Sequence, residues 1–567
     1  MYHMKKLLSN KIYLFYFFIL LIASLSLIFT NVSYDAEYQL AMAYRIVQGD
    51  TMINEMWEPH QTSAFLCAII MKLFIMVTGS TTGIVLFTQI IGFIIRFIIS
   101  YYLYKTLCKI TTQTPALIAA VLYLIISPKD LLVPEFSNMQ LWFGTLMFLC
   151  FVHYLQSKKL WLLILSAINL CLGVLSYPSF IISFIVMCGL LIHYSSHKKR
   201  DIILYTLTCA GIGLSYAFYL LCQASWQEIM NCLPKALSIE PSHTVDFSTK
   251  LLTHIFNSCK MLGILIIIAI IGWIIHLILT KTLKKLNLPK DNWIFISWCI
   301  LMILLLLHIM KADSHGGPSY AFLVIMFIGF SKRNLLSEEQ KTIYYCALWI
   351  GISNLVATLI LSDHAVVQAI PYMVLSVCIS VIPLYNWFKA EQNKKYWKII
   401  FIICVHTFLL ITVFRSIYVH VPISGRSQIC SLFSDMGIIR SGPAMGIITN
   451  ENGAAMQRDS MQEWSKYIDE GDTIWILGEP VDTLGYLYEN VEVGAPSVMS
   501  TPTYTSELLY YWEINPEKFP NVIILSSGFG ELSWDLLKNE WLMEWLENEY
   551  KADTIIDGHY WRYYFKE

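Results

Sequence analysis

Charge is scarce in this sequence: 14% of its 567 residues are Asp, Glu, Lys or Arg, and the formal net charge is −1. A chain so nearly neutral offers no electrostatic footprint for nucleic acid, and no nucleic-acid partner is expected. Cysteine pairing is lacking too. The 14 cysteines are scattered, mostly within apolar runs, and none forms a C-x-x-C pair, so neither a zinc centre nor a disulfide framework is indicated. A bridge among Cys222, Cys232 and Cys259 near one outer loop stays open as an alternative. The C-terminal part has no G-x-S-x-G elbow, Walker loop or dinucleotide fingerprint, which leaves it without a recognisable chemistry of its own. Internal repeats and low-complexity tracts are missing as well.

What fills the chain is apolar: 56% of residues are hydrophobic and the mean hydropathy is +0.57. That composition belongs to a polytopic membrane protein. Lys5, Lys6 and Lys11 precede an apolar run at 12–30, which reads as a retained first helix with a cytoplasmic N-terminus because no A-x-A site follows it. Further spans are predicted near 82–104, 115–127, 139–156, 160–176, 178–194, 202–222, 255–280, 293–310, 317–331, 342–361, 365–388 and 398–416, roughly thirteen in all. With strict alternation, basic clusters such as Lys198-Lys199-Arg200 and Lys281, Lys284, Lys285, Lys290 fall inside, and the C-terminus falls outside. The stretch 65–77 is short and interrupted by Lys72, and counting it as a crossing would turn the basic loops outward. It reads as re-entrant or interfacial.

The predicted architecture is therefore mainly α, with a multi-span domain over 1–416 and a small extracytoplasmic α/β domain over 417–567. Strand-like runs appear there at 445–449, 473–477, 521–526 and 554–556, with helical stretches at 456–468 and 532–550. The aromatic segments Ser500-Thr501-Pro502-Thr503-Tyr504 and Tyr560-Trp561-Arg562-Tyr563-Tyr564 suit glycan binding or, for the second, an edge strand.

The chemistry-bearing stretch is the first outer loop, 31–81. A segment with Asp35, Glu37, Arg45, Asp50, Glu55, Glu58 and His60 cannot sit in hydrocarbon, so it lies at an interface or lines a wet cavity. Residues 33–48 read as an amphipathic helix that Ser33 or Asp35 would cap, ended by Gly49-Asp50. Arg96, inside a span, is a functional candidate or an internal ion-pair partner. His60 and His364 read as polar residues at helix ends. The outer connection 223–250 is long enough to cover a groove.

Asp35-Ala36-Glu37-Tyr38-Gln39-Leu40, Gly49-Asp50, Trp57-Glu58-Pro59-His60 leading into 65–74, and Glu135-Phe136-Ser137-Asn138 ahead of Leu141-Trp142-Phe143 together resemble the GT-C glycosyltransferases. Within that superfamily the branch of protein mannosyltransferases and lipid A aminoarabinose transferases is the more similar. The resemblance implies transfer of a sugar from a polyprenyl-phosphate carrier to a cell-surface glycan, lipid or protein on the extracytoplasmic side, in a bacterial plasma membrane. Asp35 falls on the acid that deprotonates or positions the acceptor hydroxyl, with Glu37 and Glu58 in support. His60, Glu135 and Asn138 are then candidates for contact with acceptor or sugar, and Lys311 and His315 for the carrier phosphate. Asp35 with Glu135 or Asp130 would be the ligands of a divalent cation, Mg or Mn, if one is used.

Two positions depart from the family pattern. Ala36 separates the two acids, so on a helix Asp35 and Glu37 point about 200° apart. Asn138 stands where many members have an aspartate. The alternative is a non-catalytic membrane binding protein or a transporter of the same ancestry.

Overall fold

The computed structural model describes residues 25, 27–29, 34–126, 132–238, 247–282, 292–311, 317–361, 366–390, 421–423, 426–428, 436–477, 480–488, 490–499, 505–526 and 540–566. The chain is mostly helical. In chain order the helices are α1 (Tyr34–Gln48), α2 (Ala64–Thr78), α3 (Ile84–Leu107), α4 (Gln113–Ile125), α5 (Phe136–Ser157), α6 (Leu160–Ser176), α7 (Ile182–Tyr194), α8 (Lys198–Gln223), α9 (Trp226–Ser238), α10 (Phe247–Thr282), α11 (Asn292–Lys311), α12 (Gly317–Ser331), α13 (Glu338–Leu361) and α14 (Val374–Ala390).

Six stretches among the described residues have the length and apolarity of a membrane-crossing helix: Gln61–Thr78, Ile84–Leu107, Lys198–Gln223, Ser248–Thr282, Glu338–Ile360 and Val366–Ala390. Shorter apolar helices make up much of the rest. Every run expected between 82 and 388 is helical, while 398–416 and most of 12–30 lie outside the described residues.

Local signals in the sequence set several boundaries. Ser337 and Gln340 form a reciprocal capping box at the start of α13, with Ser337 N–H donating to Gln340 Oε1 at 3.1 Å. Gly79, at φ 72°, closes α2 in the left-handed conformation. The helices meet through small residues: a Cβ added to Gly351 of α13 would lie 1.9 Å from Ser376 Oγ of α14, and one added to Gly329 of α12 would lie 2.7 Å from Ser380 Cβ. Ser376 and Ser380 are one turn apart, so one face of α14 takes both neighbours at close approach. Arg96 of α3 is buried, and its Nε and Nη2 donate to the Tyr123 carbonyl at 3.2 and 3.0 Å, a cation on the negative end of α4.

The C-terminal part adds helices α15 (Glu451–Tyr467), α16 (Thr505–Ile514) and α17 (Glu540–Trp545) around a sheet. Two hairpins, β1 (Val421–Ile423) with β2 (Arg426–Gln428) and β3 (Met436–Ile438) with β4 (Ile448–Asn450), precede five strands: β5 (Thr473–Leu477), β6 (Glu492–Val493), β7 (Val522–Ser526), β8 (Thr554–Asp557) and β9 (Trp561–Phe565). The sheet order is β6-β5-β7-β9-β8, parallel across β6, β5 and β7 and antiparallel beyond. β9 is therefore an internal strand, not the edge its position near the chain end suggested. Trp561, Tyr563 and Tyr564 are buried in it, which removes them as a glycan surface. Residues 500–504 lie outside the described residues.

One apolar core runs without a break from α1 into this sheet. The same domain meets the chain on both sides of α2. Ahead of α2, the Trp57 amide donates to the Pro496 carbonyl at 2.7 Å; after it, the Gly83 amide donates to Gly442 at 2.9 Å and Thr81 Oγ1 to Leu487 at 2.6 Å. The stretch Gln61–Thr78, which by length and composition could cross a membrane, is thus flanked on both sides by contacts with the C-terminal domain. The 223–250 connection is not a loop over 226–238 but the helix α9. The cysteines among the described residues are free, Cys222, Cys232 and Cys259 included.

Candidate functional site

α1 carries Asp35 and Glu37 in its first turn, where carboxylates complement the positive end of a helix. Asp35 is half-buried and Glu37 is buried. At about 100° per residue, Gln39 shares the face of Asp35 and Glu37 does not. Gln39 is fully buried and accepts a hydrogen bond from Ser63 Oγ at 2.9 Å; its Nε2 has no acceptor among the described residues.

The second element is the start of α5. Glu135 is its N-cap: its two carboxylate oxygens accept from the Ser137 amide at 2.8 Å and the Asn138 amide at 2.7 Å, satisfying two of the otherwise unbonded N–H groups of the first turn. Glu135 is fully buried. Asn138 Nδ2 donates to the Val133 carbonyl at 3.0 Å, a bond that an ionised aspartate, having only acceptors, could not make. The departure from an acid at 138 therefore has a structural reason.

The third element is the helical turn Ile370–Met373 that leads into α14. Its Tyr372 is buried, lies beside Ser137, and is close enough to the Glu135 and Asp35 carboxylates to feel both charges. Asp35, Glu135 and Tyr372 thus converge from three elements far apart in the chain. Tyr372 was not singled out from the sequence. The available signal was a tyrosine within an apolar run, where a buried hydroxyl needs a polar neighbour. His60 adjoins this cluster as a packed ring, stacked on Phe136 at 4.2 Å between centroids and facing Tyr177 at 5.3 Å.

Glu58, expected among the substrate contacts, is held in a closed set of donors. It accepts from Tyr38 Oη at 2.9 Å, Ser497 Oγ at 2.8 Å and the Val498 amide at 2.6 Å, and it is 1% exposed. It is a joint between the outer loop and the C-terminal domain. Burial pushes its carboxyl above the usual carboxylate range, against the opposing pull of Arg45 and the three donors.

Beside it, Arg45 Nε donates to Asp50 Oδ2 at 2.6 Å, its Nη1 to the Pro496 carbonyl at 3.2 Å and its Nη2 to the Glu55 carbonyl at 2.6 Å. Lys518 of the C-terminal domain donates to Asp50 Oδ1 at 2.7 Å. Burial works against the charges on Arg45 and Lys518, and Asp50 outweighs it in both, so each pKa lies above its ordinary value. The segment 45–58 and the C-terminal domain are thereby fixed to each other.

Lys311 ends α11, and its side chain, like residues 312–316 with His315, lies outside the described residues, as do Asp130 and His364. Among the described residues no three His, Cys, Asp or Glu side chains gather as a metal site.

No protein-family model matches the sequence, and no curated protein matches it. Among solved structures, the oligosaccharyltransferase AglB from Archaeoglobus fulgidus, in complex with an inhibitory peptide and a dolichol-phosphate, is similar at 11% identity, with 91% of this chain and 70% of that chain covered and a TM-score of 0.41. The same organism's oligosaccharyltransferase tethered to an acceptor peptide with an NVT sequon gives 11% identity, 94% and 72% coverage, and a TM-score of 0.43. Its apo form gives 10%, 93%, 72% and 0.42.

Proposed function

We propose that this chain is a GT-C-type membrane glycosyltransferase that takes a sugar from a polyprenyl-phosphate carrier and passes it to a cell-surface glycan, lipid or protein on the extracytoplasmic side. The observation that carries the reading is that Tyr372 lies within electrostatic range of both the Asp35 and the Glu135 carboxylates, which come from different elements. A hydroxyl is a poor nucleophile, and a carboxylate within hydrogen-bond reach removes its proton as the oxygen attacks the anomeric carbon. The bond from that carbon to the carrier phosphate breaks, and the phosphate leaves with the electron pair.

Asp35 is the base in this reading, because it is the half-buried carboxylate of the cluster, whereas both oxygens of Glu135 already hold the start of α5. Tyr372 would orient the Asp35 carboxylate. Gln39 Nε2, a buried polar atom with no acceptor among the described residues, is the group a sugar or acceptor hydroxyl would satisfy. Lys311 and His315 remain the candidates for the carrier phosphate, and Glu37 and His60 support the fold of the site. A divalent cation would need Asp35 together with Glu135 or Asp130, and no step is assigned to it.

The test is transfer of radiolabelled sugar from membrane-extracted polyprenyl-phosphate donors by detergent-purified protein, comparing wild type with Asp35→Asn. Loss of turnover by about 10²-fold or more with donor binding retained is the expected result. A wild type that binds donors and never transfers identifies a non-catalytic binder, and a fully active Asp35→Asn moves the base elsewhere.

A further inference from the structure

The apolar side chains of helix α9 form one broad arc, running from Cys232 through Ile229, the half-buried Leu233 and Trp226 to Pro234, buried at one end and exposed at the other. Its start is encoded locally by a capping box, in which the Ser225 amide donates to Glu228 Oε2 at 2.6 Å and the Glu228 amide to Ser225 Oγ at 3.3 Å. One end of the arc faces inward: Ile229, Cys232 and Ala236 are buried. The rotation of the helix about its axis is held by Cys232 Sγ against Asn54 Oδ1 at 4.0 Å and by the Lys235 ammonium, 4.7 Å from the Tyr510 ring centroid and 5.8 Å from that of Trp57.

The other end faces out. Trp226 is 66% exposed, Met230 47% and Leu237 55%, with Pro234 also exposed. At about 100° per residue these four fall within an arc roughly 80° wide, and Gln227, Glu228, Asn231 and Lys235 lie to one side of it. A soluble helix would not present a tryptophan, a methionine and a leucine in one outward row without a partner.

The neighbouring helices indicate the partner. α8 has the length and apolarity of a crossing helix, and its outer half exposes Leu214, Phe218 and Leu221. Only Ala224 and Ser225 separate α8 from α9, a link of roughly 7 Å at full extension. α10, on the other side, exposes Leu252, Ile255 and Phe256 at its start. The outward face of α9 therefore follows, two residues on, a helix of crossing length whose exposed side chains are apolar.

We propose that α9 is an interfacial helix whose Trp226, Met230 and Leu237 insert into the outer edge of the bilayer, while Lys235 ties the same helix to Trp57 of the first outer loop. The occupant is lipid, at the level where amphipathic rings and apolar side chains meet the headgroups. The loop that holds Trp57 and Glu58 is then referenced to the membrane surface through one helix.

The test places a genetically encoded fluorescent amino acid at Met230, Leu237, Asn231 or Leu214, one position per variant, in the full chain reconstituted into phosphatidylcholine vesicles. Each variant is first checked for monodisperse elution in detergent. With phospholipids brominated near the top of the acyl chain, the expectation is that emission at 230 and 237 falls by about half or more, at least twofold more than at 231. The label at 214 on α8 shows that the quencher reaches lipid-facing sites. Quenching at 214 with positions 230 and 237 no more quenched than 231 overturns the proposal and means that protein, a second copy or another chain, covers this face.

Discussion

Replacement of Asp50 by asparagine tests whether the outer loop and the C-terminal domain act as one body. Asp50 accepts from Arg45 at 2.6 Å and Lys518 at 2.7 Å, with side-chain exposures of 5% for Asp50, 0% for Arg45 and 7% for Lys518. The Asp50→Asn change would leave two buried cations without their shared anion, and breaking a buried pair by removing one partner costs about 3–5 kcal/mol. Glu492, 3.5 Å from Lys518 and half exposed, recovers at most about 1 kcal/mol. A net loss of about 2–4 kcal/mol weakens the docking of the domain by roughly 30- to 700-fold.

The assay is limited proteolysis of the detergent-solubilised protein at low protease, where the cleavage rate follows the population of the open form. The pH dependence has a definite sign. Without Asp50, burial and the neighbouring Arg45 cation outweigh the half-exposed Glu492 and carry the Lys518 pKa below the ordinary value, so the open form binds the extra proton. The variant's excess cleavage should therefore be largest at pH 7 and shrink as pH rises towards about 10. Adding Lys518→Met should restore much of the protection at pH 7. An increase in cleavage of less than about fivefold, or one indifferent to pH, would refute the claim that these charges are buried together and hold the joint.

Three further outcomes follow from the packing. On the proposed role of Tyr372 in orienting Asp35, Tyr372→Phe should lower kcat by about tenfold or more with little change in donor KM; equal loss in detergent stability would assign it a packing role instead. Gly351→Ala, whose Cβ would stand 1.9 Å from Ser376 Oγ, should destabilise the protein by about 1–3 kcal/mol in thermal unfolding, and Ser376→Gly should rescue it. Asn138→Asp should not raise the proposed transfer activity. It sets a carboxylate against the Val133 carbonyl, and a thermal scan should show a loss of about 1–3 kcal/mol.

The apolar runs between 82 and 388 were legible because hydrocarbon forces each backbone segment to satisfy its own hydrogen bonds, so length and hydropathy suffice to locate the helices. Residues 226–238 were read as loop because polar Gln227, Glu228 and Asn231 broke the apolar pattern, although Ser225 and Glu228 already spelled a capping box. β9 looked like an edge because sequence position near an end says nothing about sheet order, which β8 decides by pairing outside it. Asp35 and Glu135 stood out because acids are rare beside apolar runs. Tyr372 did not, since its relation to them exists only after α1, α5 and the turn before α14 have packed together.

Glu58 illustrates the limit most clearly. In sequence it is an acid in an outer loop, with the same composition around it as Asp35, and nothing local distinguishes a group that meets substrate from one that meets the protein. Its partners, Ser497 and Val498, lie 439 and 440 positions away. The distinction rests on the C-terminal domain, whose own sequence shows no catalytic motif and whose part in the site is to take up the charges of the outer loop. Arg45, Asp50 and Glu58 are buried because that domain covers them, and Asp35 is left as the half-buried carboxylate beside Glu135. The C-terminal domain thus takes up Arg45, Asp50 and Glu58, and in the proposed reading it is Asp35 that reacts.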